Sequence, residues 1–592
     1  MCGLSGQLSL DGSAVDRALV RRMTRMLVHR GPDGSGHYFS DTIGIGHRRL
    51  SIIDHDGGAQ PMLSDRGTLC LATNGEIYNY VELRRELSSA GVSFRTDSDT
   101  EVLLKCLERD GPAAIARLEG MYAFAFWDEA DRTLLLARDP VGIKPLYYYQ
   151  DGSYFLFASE LKSLLAYPRL NRELNLGAVD RYFESLAVPE PDSVLRGVRK
   201  VPAGHYLTVQ RGRVSLTRYW APRAGARRRR RSDHGRARDL NLELHRTVQL
   251  SLRSDVPVGV LLSGGVDSSG LAALASVHSP RRLHTFSAAF REQEFDESPA
   301  SRAVARHLRT SHHEILVTSK VAAGIAERLM TRIDEPFADS SSIPTYAVCQ
   351  LAARHVKAVL SGEGADELFG GYPWHVPRRT AGPGADSGRH PSRTIFGVAD
   401  RQRLYAPRWR RAMQIARRRR LRHRQPFGVS PRSALDRALL GDLQEYLPSD
   451  ILFKSDRMSM AHSLEVRVPY LNARFVQYAM SLPDRLKVNR GIQKYLLKRA
   501  VAKLLPPLIV KRPKKGFSVP MDMWLWQKGP WRDLVYDTLF SARTRERGQF
   551  DMQVLAEMRH EHDTLARLHG YRLWTVFVFE AWQRAFLDTV RA

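Results

Sequence analysis

The sequence predicts two domains of different fold classes, an α+β domain over residues 1–220 and an α/β domain with a parallel sheet over residues 240–592. The length of 592 residues is about four times that of a typical domain, which favours more than one core. Short apolar runs separated by turn residues fill the first part, whereas strand, loop and helix patterns alternate in the second.

Paired strands dominate the predicted first domain. The stretches MYAFAFWDEADRTLLLARDP and PLYYYQDGSYFLFASE each contain two apolar runs around a polar turn, a pattern typical of β-hairpins. A helix is expected over residues 81–90, between such runs.

The second domain begins with strands that run directly into loops and helices. VPVGVLL precedes SGGVDSS and the helical pattern GLAALAS, and KAVL precedes SGEGADELFGG. This alternation predicts parallel strands, and the loops at the carboxyl ends of parallel strands meet in one crevice. Beyond about residue 395 the pattern is mainly helical, and WTVFVFEAW at 574–582 is expected to pack on this domain as a helix or strand.

Basic residues exceed acidic residues by 27 (90 minus 63), which favours anionic partners such as nucleotides. Residues 221–239 include five consecutive arginines and are predicted to be a linker, because like charges at that density repel one another. A second basic stretch at 408–425 is expected to form an exposed helix. The arginine runs also raise a nucleic-acid-binding hypothesis. Aromatic residues are not interleaved with them as base stacking requires, so nucleic acid binding is disfavoured.

Cysteine usage and hydropathy indicate a soluble, cytoplasmic protein without a membrane partner. Four cysteines without a CxxC pair exclude a disulfide framework, and no apolar run approaches the ~20 residues that span a bilayer. Cys70, Cys106 and Cys349 lie among apolar residues and are interpreted as core. His312 and His313 lack a third ligand at metal spacing and are interpreted as surface or structural histidines.

Cys2 is the candidate nucleophile. Removal of Met1 would leave a thiol and an α-amine on the same residue, and an α-amine with a pKa near ~8 can accept the thiol proton. Asn74 and Gly75 supply an amide and a backbone N–H suited to an oxyanion hole. The Arg48 guanidinium suits a carboxylate, and the acids Glu76 and Asp99 suit an amino group. Together these groups indicate a site for an α-amino acid with an attackable amide.

The motifs MCGLSG, HRGPDG, GHRRLSIID, NGEIYN, ARDPVGIKPLYY and FASELKSL resemble those of class II glutamine amidotransferase domains. The resemblance covers nearly all of the first 220 residues and implies the N-terminal-nucleophile fold, an αββα sandwich. It implies that Cys2 attacks the glutamine amide and that Asn74 and Gly75 hold the oxyanion. It further implies that Arg48 binds the α-carboxylate of glutamine, with Glu76 and Asp99 at its α-amine.

Two loops of the second domain carry phosphate-binding and acidic residues. In SGGVDSS, glycines allow backbone N–H groups to turn toward an anion, while Ser263 and Ser268 can donate hydroxyls. Asp267 is unusual in an anion-binding loop unless a cation such as Mg²⁺ lies between the two charges. The loop SGEGADELFGG adds Glu363 and Asp366, so Asp267 and Asp366 are the predicted magnesium ligands.

These loops, with KSDRMSMAHSLEVRVPYLN and KRPKKGFSVP, resemble the synthetase domain of the glutamine-hydrolysing asparagine synthetase family. The resemblance spans about 240–530 and implies a Rossmann-like adenine-nucleotide α-hydrolase fold. It implies that ATP activates a carboxylate as an acyl-adenylate, which ammonia from the first domain then attacks. The implied ATP-binding residues are Leu262, Ser263, Gly264, Gly265, Asp267, Ser268, Ala288, Ser361 and Gly362. Glu363 falls on a substrate-facing acid, and Lys514, or Lys515 in a shifted register, falls on the catalytic lysine.

The identity of the acceptor stays open at this stage. Asparagine synthesis from aspartate is favoured, but the stretch DEPFADSSSIPTY at 334–346 offers no basic residue to hold an aspartate α-carboxylate. Amidation of another carboxylate, in a peptide, sugar or secondary metabolite, is the alternative. A β-lactam-type ring closure without ammonia is disfavoured, because relatives of that type lack the nucleophilic cysteine that Cys2 provides. The oligomeric state also stays open, with a homodimer as one option.

Overall fold

The computed structural model describes residues 2–223, 232–376, 394–421 and 431–588. The five arginines 227–231 and the end of the second basic stretch therefore lie outside the described residues.

Twelve strands and five α-helices form the first domain. The strands are β1 (Gly3–Ser9), β2 (Gly34–Phe39), β3 (Ile43–Arg49), β4 (Met62–Leu63), β5 (Leu69–Ile77), β6 (Gly120–Asp128), β7 (Thr133–Arg138), β8 (Tyr147–Gln150), β9 (Tyr154–Ala158), β10 (Arg199–Lys200), β11 (His205–Gln210) and β12 (Arg213–Arg218). The helices are α1 (Arg17–Arg25), α2 (Tyr80–Ser89), α3 (Asp99–Asp110), α4 (Leu161–Leu164) and α5 (Leu176–Ser185). The predicted hairpins are β6–β7 and β8–β9, and the predicted helix at 81–90 is α2.

Two antiparallel six-stranded sheets stack face to face in this domain. Their strand orders are β10-β8-β9-β1-β3-β2 and β12-β11-β7-β6-β5-β4. Alternating apolar residues from both sheets, such as Leu4, Ile45 and Trp127, fill the space between them. On the outer face of the second sheet, Tyr122 and Phe124 pack against apolar residues of α2 and α3. Helices α1, α4 and α5 cover the outer face of the first sheet. The layers are therefore αββα, as the resemblance implied.

The second domain is built on a five-stranded parallel sheet. Its strands are β13 (Val258–Leu261), β14 (His284–Phe290), β15 (Ser311–Val317), β16 (Ala358–Leu360) and β17 (Glu465–Arg467), in the order β15-β14-β13-β16-β17. The first helices of the domain are α6 (Asp233–Ser251), α7 (Val266–His278), α8 (Ser298–Leu308), α9 (Ser319–Met330), α10 (Ser342–Ala352) and α11 (Ala365–Phe369). Helix α6 begins inside the segment predicted as a linker, so the described end of that segment is helical.

Helices dominate the remainder of the chain, as predicted. They are α12 (Val398–Leu404), α13 (Pro407–Leu421), α14 (Ala434–Gly441), α15 (Leu452–Met460), α16 (Ala473–Ser481), α17 (Asp484–Lys487), α18 (Tyr495–Val501), α19 (Pro507–Lys511), α20 (Met521–Trp526), α21 (Pro530–Leu539), α22 (Ala542–Arg547), α23 (Met552–Asp563) and α24 (Gly570–Phe586). Helix α13 contains the basic stretch up to residue 421, and α24 contains WTVFVFEAW. The indole nitrogens of Trp574 and Trp582 donate to the main-chain carbonyls of Ala338 and Asp334, which fixes α24 on the second domain.

Buried ion pairs join the two domains. Arg30 of the first domain donates two hydrogen bonds of 2.8 Å to the carboxylate of Asp456 in α15, and both side chains are buried. Tyr147 donates to Glu335 over 3.0 Å in the same interface. Because a buried charge without its partner is strongly destabilising, these pairs fix how one domain sits on the other.

Two candidate active sites

Cys2 lies at the entrance of β1, immediately before the first residue paired with β3. It is buried, with 5% of its surface exposed. Its main-chain amide donates to Oδ1 of Asn74 over 3.1 Å, and its carbonyl accepts from Nε of Arg30 over 3.0 Å. Burial raises the pKa of the Cys2 thiol, although the main-chain amide of Leu50 acts in the opposite direction. A base is therefore needed to make the thiolate at neutral pH.

Asn74 and Gly75 lie next to Cys2 on β5. Because Oδ1 of Asn74 is used by the Cys2 amide, its Nδ2 is the free donor, and this buried atom has no hydrogen-bond partner within the described ranges. A Cβ at Gly75 would lie 2.0 Å from the main-chain oxygen of Met121, and its φ of +152° is one that L side chains rarely adopt. Glycine therefore allows β5 and β6 to approach each other beside the thiol.

Two buried acids, Glu76 and Asp99, come together beside this thiol. Asp99 is the first residue of α3, and its Oδ2 accepts from the Ile77 amide over 2.8 Å. Burial raises the pKa of Asp99 to about 6, against the lowering effect of its backbone hydrogen bonds. Burial, with the charges of Glu465 and Asp99, also raises the pKa of Glu76. A cationic group would relieve the repulsion between these carboxylates, as an amino acid's ammonium would.

Arg48 lies on β3, opposite Gly3 in the β1–β3 pairing and therefore one residue from Cys2. Its Nε donates to the main-chain oxygen of Gly31 over 2.9 Å, which holds the guanidinium in place. Sequence reasoning missed Arg30 and the Leu50 amide, both of which contact Cys2. The amide contact depends on the path of the backbone, which no residue type in the sequence indicates.

The SGGVDSS loop follows β13 and leads into α7. Gly264 has a φ of +73°, and a Cβ there would lie 2.7 Å from the amide nitrogen of Ser301, so the loop packs closely on α8. The hydroxyls of Ser263 and Ser268 are 3.0 Å apart, at the amino end of α7 where the helix dipole favours an anion. Leu262 and Ala288 are buried at the carboxyl ends of the neighbouring strands β13 and β14.

The SGEGADELFGG loop follows β16, which pairs with β13, so the two loops are neighbours as predicted. A Cβ at Gly362 would lie 3.2 Å from Cβ of Asp267, which shows how closely they approach. The Ser361 amide donates to the main-chain oxygen of Arg467 over 2.9 Å. Gly265 is the residue before α7, at the same crevice.

Two lysines neutralise the acids of this crevice. Nζ of Lys494 lies 2.6 Å from Oδ1 of Asp366 and also bonds to Oδ2 of Asp267. Nζ of Lys514 donates to Oδ2 of Asp366 over 2.9 Å. Burial acts to raise the pKa of Asp366, but Lys494 and Lys514 outweigh it and hold that pKa well below its ordinary value. Asp366 therefore stays ionised. The sequence left open whether Lys514 or Lys515 is the catalytic lysine, and Lys514 is the one that contacts Asp366.

Lys494 was missed by sequence reasoning. It belongs to GIQKYLLK, which none of the four synthetase motifs includes, and it lies more than 120 residues from either acid it contacts. The magnesium prediction assumed that a metal alone offsets Asp267, whereas the chain places an ammonium between the two acids. Asp267 follows β13, Asp366 follows β16, and Lys494 is the residue before α18. The three side chains meet because the carboxyl ends of these two strands lie near the start of α18.

A third lysine contacts the stretch at 334–346, which has no basic residue of its own. Nζ of Lys454, from the KSDRMSM motif on α15, donates to Oδ2 of Asp339 over 2.9 Å and to Oγ of Ser341 over 2.7 Å. Glu363 is among the acids that raise the pKa of this buried lysine, after Asp339. Oε2 of Glu363 is buried and has no hydrogen-bond partner in the described part of the chain. Helix α15 thus supplies the positive charge that the stretch at 334–346 lacks.

One short strand, β17, touches both candidate sites. Its Glu465 is among the charges that raise the pKa of Glu76, and its Arg467 lies over the ring of Tyr78 at 5.5 Å. The Arg467 carbonyl accepts from Ser361 in the second loop. The two candidate sites are therefore linked through three consecutive residues of the second domain.

Comparison with known proteins gives a family match for each of the two domains. A family model described as asparagine synthase matches residues 239–584, and one described as a glutamine amidotransferase domain matches residues 1–220. The chain belongs to the asparagine synthase family. It is 33% identical to asparagine synthetase [glutamine-hydrolyzing] 1 of Bacillus subtilis, over 98% of this chain and 96% of that protein.

Other members of the asparagine synthase family match over similar lengths. A putative asparagine synthetase of Mycobacterium bovis is 34% identical, over 99% of this chain and 98% of that protein. Asparagine synthetase B of Escherichia coli is 31% identical, over 88% and 82%. Among the described residues, no helix is both long and apolar enough to cross a bilayer.

Proposed function

We propose that this chain is an ATP-consuming ligase that uses glutamine as its amide donor and aspartate as its acceptor, and so makes asparagine. The observation that carries the proposal is the pairing of two sites. A cysteine hydrogen-bonded to an asparagine, at Cys2 and Asn74, is joined through β17 to a crevice in which Lys494 and Lys514 hold two acids. The full-length similarity to proteins named glutamine-hydrolysing asparagine synthetases supports it.

In the first half-reaction, Sγ of Cys2 attacks the side-chain amide carbon of glutamine. The α-amine of Cys2, exposed when Met1 is removed, takes the thiol proton and passes it to the leaving nitrogen. Nδ2 of Asn74 and the N–H of Gly75 stabilise the oxyanion. Ammonia leaves, a thioester to Cys2 forms, and water then hydrolyses that thioester to glutamate.

Charged side chains near Cys2 hold the two α-groups of glutamine. Arg48 binds its α-carboxylate, and Glu76 with Asp99 binds its α-ammonium. Oε2 of Glu76 is buried and has no hydrogen-bond partner among the residues that the structure describes. This supports the assignment, because a buried carboxylate oxygen without a donor is costly until a ligand supplies one.

In the second half-reaction, a carboxylate oxygen of the acceptor attacks the α-phosphorus of ATP, and pyrophosphate leaves. Ammonia then attacks the acyl carbon, AMP leaves, and the amide is formed. Lys514 and Lys494 offset the negative charge that builds on the phosphates. The adenosine lies against Leu262, Ala288, Ser361 and Gly362, with Ser263, Gly264, Gly265 and Ser268 at the phosphates.

The acidic residues of the crevice fit a magnesium ion. Asp267 and Asp366 both contact the single Nζ of Lys494, and Oδ1 of Asp267 is a buried oxygen without a hydrogen-bond partner among the described residues. Carboxylate oxygens are the ligands that Mg²⁺ prefers. Asp267 and Asp366 would hold the ion, which would supply positive charge to the pyrophosphate in addition to that of Lys494 and Lys514.

Ammonia reaches the second site through apolar residues of the interface. Leu50, Tyr78, Met121 and Ile143 from the first domain pack in one buried cluster with Val466 of β17. An apolar passage favours neutral ammonia over the ammonium ion and excludes water from the acyl-adenylate.

The acceptor is assigned to the region around Glu363 and Lys454. Lys454 can hold a carboxylate of aspartate once that carboxylate displaces Asp339, and Glu363 offers an acceptor for its ammonium. The alternative proposal is that another carboxylic acid is the acceptor. Measuring pyrophosphate release with a panel of acids, starting with aspartate, distinguishes these two proposals.

Cys2→Ala tests the two-site proposal. Glutamine-dependent amide synthesis should be abolished, while synthesis from ammonium salts continues at the wild-type rate. Cys106→Ala, at another buried cysteine of the same domain, is the matched control and should retain both activities. Loss of ammonium-dependent synthesis in a folded Cys2→Ala protein would contradict separate sites.

A further inference from the structure

Three histidines meet at the edge of the parallel sheet that faces away from the ATP crevice. His284 is the first residue of β14, His313 lies near the start of β15, and His355 lies between α10 and β16. Parallel strands place all their amino ends at one edge and all their carboxyl ends at the other. Because Ser263 and Ser361 follow the carboxyl ends of β13 and β16, the histidines are at the opposite edge.

The three imidazoles are close enough to share one ion. One ligand nitrogen from each residue lies within 4.8 Å of the other two, and Nδ1 of His284 is 3.2 Å from Nε2 of His313. Two nitrogens bound tetrahedrally to zinc at 2.0–2.1 Å are about 3.3 Å apart. The ring centroids of His313 and His355 are 4.0 Å apart, and His355 is exposed, so its ring can turn toward a shared ion.

Two of the three rings have lowered pKa values, and neutral imidazole is the form that binds a metal. Burial lowers the pKa of His284, and the charges of His355 and Arg282 lower it further. Burial also lowers the pKa of His313, followed by His355, His284 and His312. The nearby acid Glu314 is already engaged, since it binds Arg302 and His312.

We propose that His284, His313 and His355 together bind one divalent transition-metal ion, with Zn²⁺ as the best match. Three imidazole nitrogens favour Zn²⁺, Co²⁺ or Ni²⁺ over the oxygen-seeking Mg²⁺ of the ATP crevice. Solvent completes the coordination, because the cluster is only partly buried. His312 and His313 were interpreted from the sequence as lacking a third ligand, and the fold brings that ligand from β14 and from the segment before β16.

The ion would link β14, β15 and the segment that leads into β16. β14 and β15 are paired directly, whereas His355 reaches them from across β13 and leads into β16. β16 in turn carries the loop with Asp366, so the ion stabilises the base of the strand that presents this acid. The proposal does not depend on which amide the enzyme makes.

Metal titration of the full-length protein tests the site. The protein is prepared without a histidine tag, stripped with a chelator and titrated with ZnCl₂ by calorimetry, and with CoCl₂ while the visible spectrum is recorded. We expect one equivalent to bind and Co²⁺ to give absorption bands in the visible. The intense near-ultraviolet band of a cobalt–thiolate bond should be absent, which would exclude Cys2 as a ligand. Zn²⁺ should also raise the Tm of the wild-type protein.

His355→Ala is the decisive variant, because an exposed side chain is not needed for folding. Its affinity for Zn²⁺ should fall by at least about tenfold, since loss of even a supporting group costs a metal site that much. His313→Ala should give the same loss. His278→Ala is the matched control, because His278 forms a two-histidine pair with His245 at 2.8 Å, and its affinity should equal that of the wild type.

Absence of binding to the wild-type protein at 100 µM metal would overturn the proposal. An unchanged affinity in either His355→Ala or His313→Ala would also overturn it, since the histidines would then be a metal-free stack on Phe286. His355→Ala should retain glutamine-dependent synthesis, so failure of the metal site is distinguishable from failure of the proposed enzyme activity.

Discussion

Lys494 and Asp366 form a buried ion pair, with Nζ of the lysine 2.6 Å from Oδ1 of the acid. The same Nζ bonds to Asp267, so one ammonium joins the phosphate loop after β13 to the acidic loop after β16. Lys494 therefore offsets negative charge on both acids at this edge of the sheet.

Lys494→Met should abolish adenylation and spare glutamine hydrolysis. The substitution leaves two buried acids without their shared cation, and breaking such a pair costs about 3–5 kcal/mol, so the Tm should also fall. The ATP–pyrophosphate exchange rate and a thermal melt measure the two effects. Lys503→Ala, at an exposed lysine further along the chain, is the control and should change neither. Exchange at the wild-type rate in Lys494→Met would exclude a role for this lysine.

Asn74→Asp separates the two hydrogen-bonding roles of this residue. The variant keeps an oxygen for the Cys2 amide but loses the Nδ2 donor assigned to the oxyanion. The kcat of glutamine hydrolysis should fall about 100- to 1000-fold, the usual loss for one oxyanion donor. Synthesis from ammonium salts should be unchanged.

Asn79→Ala is the matched control for that experiment. Asn79 donates to the main-chain oxygen of Arg117 and accepts from the Glu119 amide, so its removal should lower the Tm and leave kcat unaltered. A normal kcat in Asn74→Asp would show that the oxyanion is held by other groups.

Glutamine binding should weaken as pH falls through about 6. Burial raises the pKa of Asp99 to about 6, so its carboxylate is charged above that pH and neutral below it. Only the charged form attracts the glutamine α-ammonium. The KM for glutamine should therefore rise between pH 7 and pH 5, with a smaller change in kcat.

Asp99→Asn provides the comparison for the pH profile. An amide does not titrate, so the variant should have a high KM that is flatter over the same pH range. If Asp99→Asn kept the wild-type acid limb, another group would be responsible for it.

Gly371→Ala should damage the ATP crevice through sterics alone. A Cβ at this position would lie 1.8 Å from Oδ1 of Asp366 and 2.2 Å from Cε of Lys494, so both must move. Overpacking of this kind costs about 1–3 kcal/mol, and pyrophosphate exchange should fall at least tenfold. Gly324→Ala, in the open on α9, is the control and should stabilise the helix slightly. Normal exchange in Gly371→Ala would show that the lysine and the acid can separate freely.

Local patterns predicted most of the architecture. Short apolar runs around polar turns predicted the hairpins β6–β7 and β8–β9, and the alternation of strand, loop and helix predicted the parallel sheet with both glycine-rich loops at one edge. These features depend on residues close together in the chain, where turn chemistry and side-chain periodicity act directly. The order of strands within each sheet was not predicted, because it depends on contacts between distant segments.

The candidate sites divide in the same way. Asn74, Gly75 and Glu76 are consecutive, and SGGVDSS is a single loop, so the sequence alone indicated their chemistry. Lys494 lies outside the quoted motifs, and the KSDRMSM motif that contains Lys454 does not indicate which acid this lysine contacts. Their meaning comes from the acids they meet across more than a hundred residues.

The sequence by itself therefore determined the two fold classes, the candidate nucleophile and the two loops that are predicted to bind phosphate. The tertiary structure alone decided which cations neutralise the buried acids, that β17 connects the two crevices, and that His284, His313 and His355 meet. The reason is physical: hydrogen bonding and turn geometry are local properties of the chain, whereas the burial and pairing of charge depend on which distant segments pack together.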